Sequence, residues 1–182
     1  MHYKKPNTFL LTLLISLLFT QFSFSKTAEE IDAGVDKAIE QFKQQIKGGE
    51  GFLPKVKGYL VFPRIIKAGV IVGGKYGEGA LRVNDETIHY FDMSSATVGL
   101  QAGAQEYSML IAFISDTALN NFLRSNGWEA GIDGSITVSN WGQNIDLSTI
   151  SFEKPIMAFI YNAKGLMASV SVGGTKFRRI SP

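Results

Sequence analysis

The sequence predicts an α+β fold: a strongly twisted or barrel-like antiparallel β-sheet, with an N-terminal amphipathic helix and a second short helix packed on it. Three observations predict it. Apolar residues recur at helical spacing between positions 31 and 46, and again briefly between 118 and 123. Apolar runs of strand length, many of them β-branched, fill much of the remaining chain. Gly69, Gly73, Gly74, Gly77 and Gly79 lie inside strand-like sequence, where glycine marks bulges, coiling or close backbone approach.

The first 25 residues read as a signal peptide rather than as part of the fold. Lys4 and Lys5 form a positive start, residues 9–19 are apolar, and Ser23 and Ser25 are small residues placed for a cut after position 25. The apolar run is short for a membrane span. Cleavage would leave 157 of the 182 residues as a single domain, residues 26–182, large enough for a real core. It would also take the 18 basic residues to 16, against 16 acidic ones. A near-neutral chain is not that of a dedicated nucleic-acid binder, so no nucleic-acid partner is expected. With no cysteine there are no disulfides and no lipidated cysteine. The expected location is therefore the periplasm or cell envelope, and not as a lipoprotein.

Thr27 to Glu30 spells a capping box that opens the first helix. Ile31, Val35, Ala38, Ile39, Phe42 and Ile46 form one stripe, and Gly48-Gly49 reads as the stop. Two roles fit this helix: packing on the sheet, or lying on a membrane with Lys43 and Lys47 beside the stripe. Residues 51–57 read as a connector or helical turn. Residues 59–62 and 70–72 read as strand runs on either side of Pro63, and Asn84-Asp85 as the turn before a strand at 87–91. Residues 97–104 look strand-like, and 108–114 fit either strand or helix. Ser115 or Asp116 caps a short helix over 116–124. Residues 128–138 return to strand character, 139–149 look like a loop, and 156–161 and 166–172 read as a hairpin turning at 162–165.

Catalytic chemistry is hard to find. His89 is the only histidine beyond the signal-like segment and sits in strand-like sequence. With no cysteine, the usual zinc and thiol arrangements are missing, and no cofactor is expected. The glycine cluster GGKYGEG matches neither GxxxxGK[ST] nor GxGxxG. Glu78, Glu106, Asp116 and Glu129 have no motif spacing. The reading is not an enzyme. Basic residues are more suggestive: Lys55, Lys57, Arg64, Lys67, Lys75 and Arg82 fall in and around the glycine series, with Glu78 the only acid between 51 and 84. Such an excess suits anionic lipid headgroups or an acidic partner, or is simply a solvated face.

The stretches KGYLVFP, KAGVIVGGKYGEGALRV, GLQAGAQ, WEAGIDGSITV and AFIYNAKGLMASVSVGG, in that order, resemble the SYLF domain family, which includes the lipid-binding domain of eukaryotic actin-patch regulators of the YSC type. The resemblance runs from about residue 28 to residue 180. It implies a non-enzymatic domain that binds phospholipids, phosphoinositides among them in eukaryotes, through an amphipathic N-terminal segment and a basic surface. On this chain those are residues 29–47 and a lipid-binding set of Lys43, Lys47, Lys55, Lys57, Arg64, Lys67, Lys75 and Arg82. The implied partner is an anionic phospholipid membrane surface, met peripherally. Actin is not expected as a partner of an exported bacterial member. The alternative is a structural or protein-interaction module of the envelope, with an envelope protein as partner and no lipid preference.

Overall fold

The computed structural model describes residues 26–69, 72–98, 104–139, 146–164 and 170–182. The signal-like segment lies outside the described residues. Helix α1 (Ala28–Gln45) opens with the capping box: the Thr27 amide donates to the Glu30 carboxylate, and the Glu30 amide donates to the Thr27 hydroxyl. All six stripe residues are buried. The helix stops at Gln45, where Ile46 turns into extended backbone to bury its side chain. The glycine pair is therefore not the stop. Gly48, at φ +81°, instead leads into a short second helix, α2 (Gly49–Phe52), and a 3-10 turn (Leu53–Lys55).

Among the described residues eight strands follow: β1 (Gly58–Gly69), β2 (Val72–Val83), β3 (Glu86–Val98), β4 (Ala104–Phe113), β5 (Trp128–Glu129), β6 (Thr137–Ser139), β7 (Ile156–Lys164) and β8 (Lys176–Ile180). They form one sheet in the order β5-β8-β3-β2-β1-β4-β7-β6, curled into a half-barrel. Every neighbouring pair is antiparallel except β6–β7, so the sheet is mixed. Helix α3 (Asp116–Arg124), capped by the Ser115 hydroxyl, lies between β4 and β5.

Beneath α1 the central strands are buried on both faces, which explains why those halves read as unbroken apolar runs. Along β4, Tyr107, Met109, Ile111 and Phe113 enter one core, while Leu110 and Ala112 enter the other. The concave core contains Leu60, Phe62, Leu81 and Phe177, closed by Phe122 of α3 and by Trp128. The convex core lies under α1: Phe42 meets Phe159 and Tyr161 edge-on.

Curvature is set where β1 meets β2. Pairing slips between Val61 and Arg64, a bulge that holds Pro63 without demanding an amide from it. Opposite the bulge, a Cβ on Gly79 would lie 2.0 Å from the Val61 carbonyl oxygen, and one on Gly77 2.9 Å from Ile65. Only glycine fits at Gly79.

Several elements differ from the sequence reading. Residues 59–62 belong to a strand that runs through Pro63, and Val72 opens the next strand; Val70 and Ile71 lie outside the described residues. The turn expected at Asn84-Asp85 is present: both residues stand at positive φ and join β2 to β3. The described ends of the 97–104 stretch fall in two strands, β3 and β4, and its middle lies outside the described residues. Residues 128–138 form two short strands around a turn, because the Asp133 carboxylate accepts the Glu129 amide and folds the chain back. The hairpin over 156–172 is not formed among the described residues: Asn162, at φ +54°, stays within β7, and Val170–Val172 have no strand pairing. The expected turn residue Gly165 lies outside the described residues, as do 140–145 of the expected loop. β8 is an element the sequence reading did not foresee.

The bulge account predicts opposite outcomes for two neighbouring glycines. Gly79→Ala should cost about 3 kcal/mol or more, because the new methyl meets a backbone carbonyl. Gly74→Ala should change stability by less than about 1 kcal/mol, because its methyl comes no closer than 3.4 Å to another atom. Urea unfolding of the two variants measures both; equal costs would contradict this origin of the curl.

Candidate functional site: a basic cleft beside the first helix

Helix α1 crosses the convex face of the sheet and is held at one end by a polar clamp. Asp32 accepts hydrogen bonds from Thr87 (2.7 Å) and Tyr90 (2.6 Å), while Arg82 donates to Asp36 (2.7 Å) and Asp32 (3.4 Å). Tyr59 donates to Asp85 at the adjoining turn, and burial of its ring, with this bond second, raises the Tyr59 pKa. Between the clamp residues Asp32 and Asp36, Gly34 brings the helix close to Pro63; a Cβ there would be 3.2 Å from the proline ring.

Beside that contact, along the edge of the docked helix, lies a cleft of about 480 Å³ that Gly34 and Pro63 help to line. Its floor is polar and fully connected. The Asn162 amide donates to Gln41 (2.7 Å) and to the Ser108 hydroxyl (3.1 Å), and its oxygen accepts from Gln45 (2.6 Å). Ser108 in turn donates to the Pro63 carbonyl (2.8 Å). The bulge and the left-handed Asn162 thus meet in one network. At the walls stand Lys37, Arg64, Lys164 and Glu106. Glu106 accepts from Arg64 (2.7 Å) and Lys164 (3.3 Å), and the first of these bonds is the larger reason its pKa is lowered. Lys37 makes no ion pair among the described residues. Three cations against one carboxylate leave the cleft electropositive.

The eight basic residues singled out from the sequence do not converge. Only Arg64 lines the cleft. Lys43 pairs with Glu40 on its own helix (2.9 Å), and that hydrogen bond raises its pKa. Lys47 pairs with Asp146 (2.6 Å), whose carboxyl is held down at about 2 chiefly by that bond. Lys57 pairs with Asp116 at the start of α3 (3.2 Å). Lys55 and Lys67 make no ion pair among the described residues, but Lys57 and Lys67 stand ten residues apart along β1, about 30 Å in an extended strand. Arg82 belongs to the helix clamp. Lys75 points into the concave side, where its ammonium donates to the Ser171 carbonyl (2.6 Å) and less closely to Thr175 (3.4 Å).

Sequence reasoning missed Lys37, Lys164 and Asn162. Lys37 is one lysine on a polar helix face, and nothing local marks it. Lys164 and Asn162 were visible only as turn residues. The carboxylates are all engaged: Glu78 accepts from Tyr76 (2.9 Å), Glu106 lies in the cleft, and Asp116 and Glu129 pair with Lys57 and Lys176. His89 lies in β3 against Phe91, and partial burial lowers its pKa. Among the described residues, no group of three or more potential metal ligands comes together, and no helix is long and apolar enough to cross a membrane.

A curled sheet with a helix clamped across part of its convex side, and a basic cleft beside that helix, defines an α+β domain. Residues 94–180 match the family model Ysc84, described as Las17-binding protein actin regulator, which is the SYLF family that the sequence motifs resemble. The matched segment runs from within β3 to the end of β8; α1, β1 and β2, with Lys37 and Arg64, precede it. The SYLF family is generally one of binding domains rather than enzymes. A comparison with curated proteins finds no match.

Lys75, on the concave side away from the cleft, gives the fold a pH signature. Burial, and secondarily the charge of Lys67, pull its pKa down to about 8 from 10.5. Between those values the unfolded chain keeps a proton that the folded chain has released, so stability should rise with pH from about 8 towards 10.5. Urea midpoints at either end of the alkaline window below the tyrosine range test this. The wild-type midpoint should rise, and Lys75→Met should flatten the rise; a wild-type midpoint that falls contradicts the assignment.

Proposed function

We propose that this chain is a non-catalytic, peripheral membrane-binding domain whose basic cleft takes the headgroups of anionic phospholipids. The observation that carries the reading is the meeting of Lys37, Arg64 and Lys164 over a hydrogen-bonded polar floor, in a chain whose family is consistent with lipid binding. Phosphate oxygens suit such a site, since guanidinium and ammonium groups offer several donors and full charge. The cleft is open and wet, as a surface that meets headgroups must be.

The amphipathic stripe of α1 is spent on the sheet. Moving it to a bilayer would bury the stripe in lipid but bare to water the sheet face beneath it, including Val61, Leu110, Phe159 and Tyr161, a cost of order 10 kcal/mol. That is comparable to the whole stability of an ordinary domain. The membrane contact therefore uses the docked domain and its basic side chains rather than a released helix. The Las17 and actin terms belong to the family description and are not carried over to this chain. We further propose export to the envelope by the N-terminal segment; intact mass should place the mature start near residue 26, and a full-length cytosolic protein contradicts it.

The test is co-sedimentation with vesicles of neutral phosphatidylcholine, or of phosphatidylcholine with one-third phosphatidylglycerol, at low and high salt. Binding should require the anionic lipid and weaken with salt. Lys37→Gln and Lys164→Gln should each reduce it roughly fivefold, taking about 1 kcal/mol per basic residue near the surface. Equal binding to neutral vesicles, or variants that bind like wild type, would remove the cleft from the account.

A further inference from the structure

The convex face divides into two halves that differ sharply. Near the start of β1 it is covered by α1. Across its middle runs a row of charged residues: Glu106, Arg64, Glu78, Asp92 and Arg178 on successive strands. Beyond that row, towards the β1–β2 turn, strand alternation puts Ile66, Ala68, Val72, Tyr76, Ala96 and Ala104 on the same face. Among the described residues, the outward positions of β1, β2 and β3 beyond that row carry no charge and no element packs on them, while Glu106 at the edge of the row is the cross-strand partner of Ile66. Ile66 is 42% exposed, Tyr76 50% and Val72 68%. Ile66 and Tyr76 are direct cross-strand partners, so the exposed surface is continuous.

The ionic rim presents one sign outward. Side chains of Arg64, Lys164, Lys176 and Arg178 are 57–76% exposed, whereas their partners Glu106, Glu129 and Asp92 are 10–31% exposed. Lys164 on β7 flanks the bare half on one side, Lys176 and Arg178 on β8 flank it on the other, and Arg64 borders it on β1. An apolar patch with projecting cations at its margin complements a bilayer with anionic headgroups. Tyr76 suits that boundary as well, with an apolar ring and a polar hydroxyl. A second copy of the chain fits poorly. Four strands and two to three rows of residues give a patch on the order of 250 Å², against about 800 Å² per partner in a stable dimer.

We infer that this bare half of the convex face, centred on Ile66, Val72 and Tyr76, enters the headgroup–acyl boundary of an anionic bilayer. The inference rests on the lipid reading above and adds a second, apolar contact to its electrostatic one. The chain lies with the β1–β2 end towards the membrane and α1 still docked. The cleft cations then stand at headgroup depth beside the inserted side chains.

The absence of cysteine makes the test clean. Ile66→Cys and Val72→Cys, each carrying an NBD fluorophore, report the patch. Ile132→Cys, on the turn between β5 and β6 and 76% exposed, is the control. With phosphatidylcholine vesicles containing one-third phosphatidylglycerol, labels at 66 and 72 should shift to the blue and be quenched by acyl-chain bromines, while the label at 132 does not respond. Unlabelled Ile66→Ser with Tyr76→Ser should weaken vesicle binding about tenfold without changing its salt dependence. Cleft variants should instead flatten that dependence. Labels that stay water-exposed on sedimenting protein overturn insertion and leave headgroup binding intact. A blue shift that grows with protein concentration in the absence of vesicles overturns it in favour of a second copy. No sedimentation with any vesicle removes the lipid reading and this inference together.

Discussion

The contact between β1 and β2 sets the rest of the structure. A bulge around Pro63 and the absent side chains of Gly77 and Gly79 let the two backbones approach closely, and the sheet curls there. A curled sheet has a concave side that one short helix and a tryptophan can close, and α3 and Trp128 do so. Its convex side is too strongly curved for a straight helix to cover completely. α1 lies along one part of it, fixed by Gly34 on Pro63 and by the Asp32–Arg82 clamp. The cleft and the bare apolar half are what the helix leaves uncovered. Function, on this account, follows from an incomplete cover.

Much of this was legible in the sequence where the signal is local. The capping box and the six-residue stripe of α1 read correctly because helix periodicity and N-caps are short-range properties. The glycines read correctly as close approach, since GGKYGEG has no phosphate-loop spacing and must serve the backbone. The Ser115 cap and the helix after it were equally plain. What failed depended on long-range pairing. β8 is an outer, polar strand that buries only one fully apolar residue, Phe177, so its own sequence does not announce it. Asn162 carries a turn signature but spends its left-handed geometry inside β7, where its amide ties Gln41 to Ser108.

The site was least legible, for a related reason. Charge clustering along a strand says nothing about direction, because alternate residues face opposite sides. Lys75 and Tyr76 are neighbours in sequence, yet one is buried in the concave side and the other is exposed on the convex side. Arg82 and Lys57 looked like surface charge and proved to be fasteners of helices. The cations of the cleft come from α1, β1 and β7, and only the tertiary fold brings them together. The fold and the family resemblance were thus recoverable from the chain, whereas the geometry of the basic surface was not.

The central claim is that the domain meets a membrane as a docked unit, through the convex cleft and the bare end beside it. Hydrogen exchange, measured with and without anionic vesicles, tests that claim most directly. The account predicts added protection in amides of the distal halves of β1 and β2 and at the start of β4, with the amides of α1 unchanged. Faster exchange throughout α1 on vesicle binding would show that the helix leaves the sheet to reach the lipid. It would contradict the account at its root.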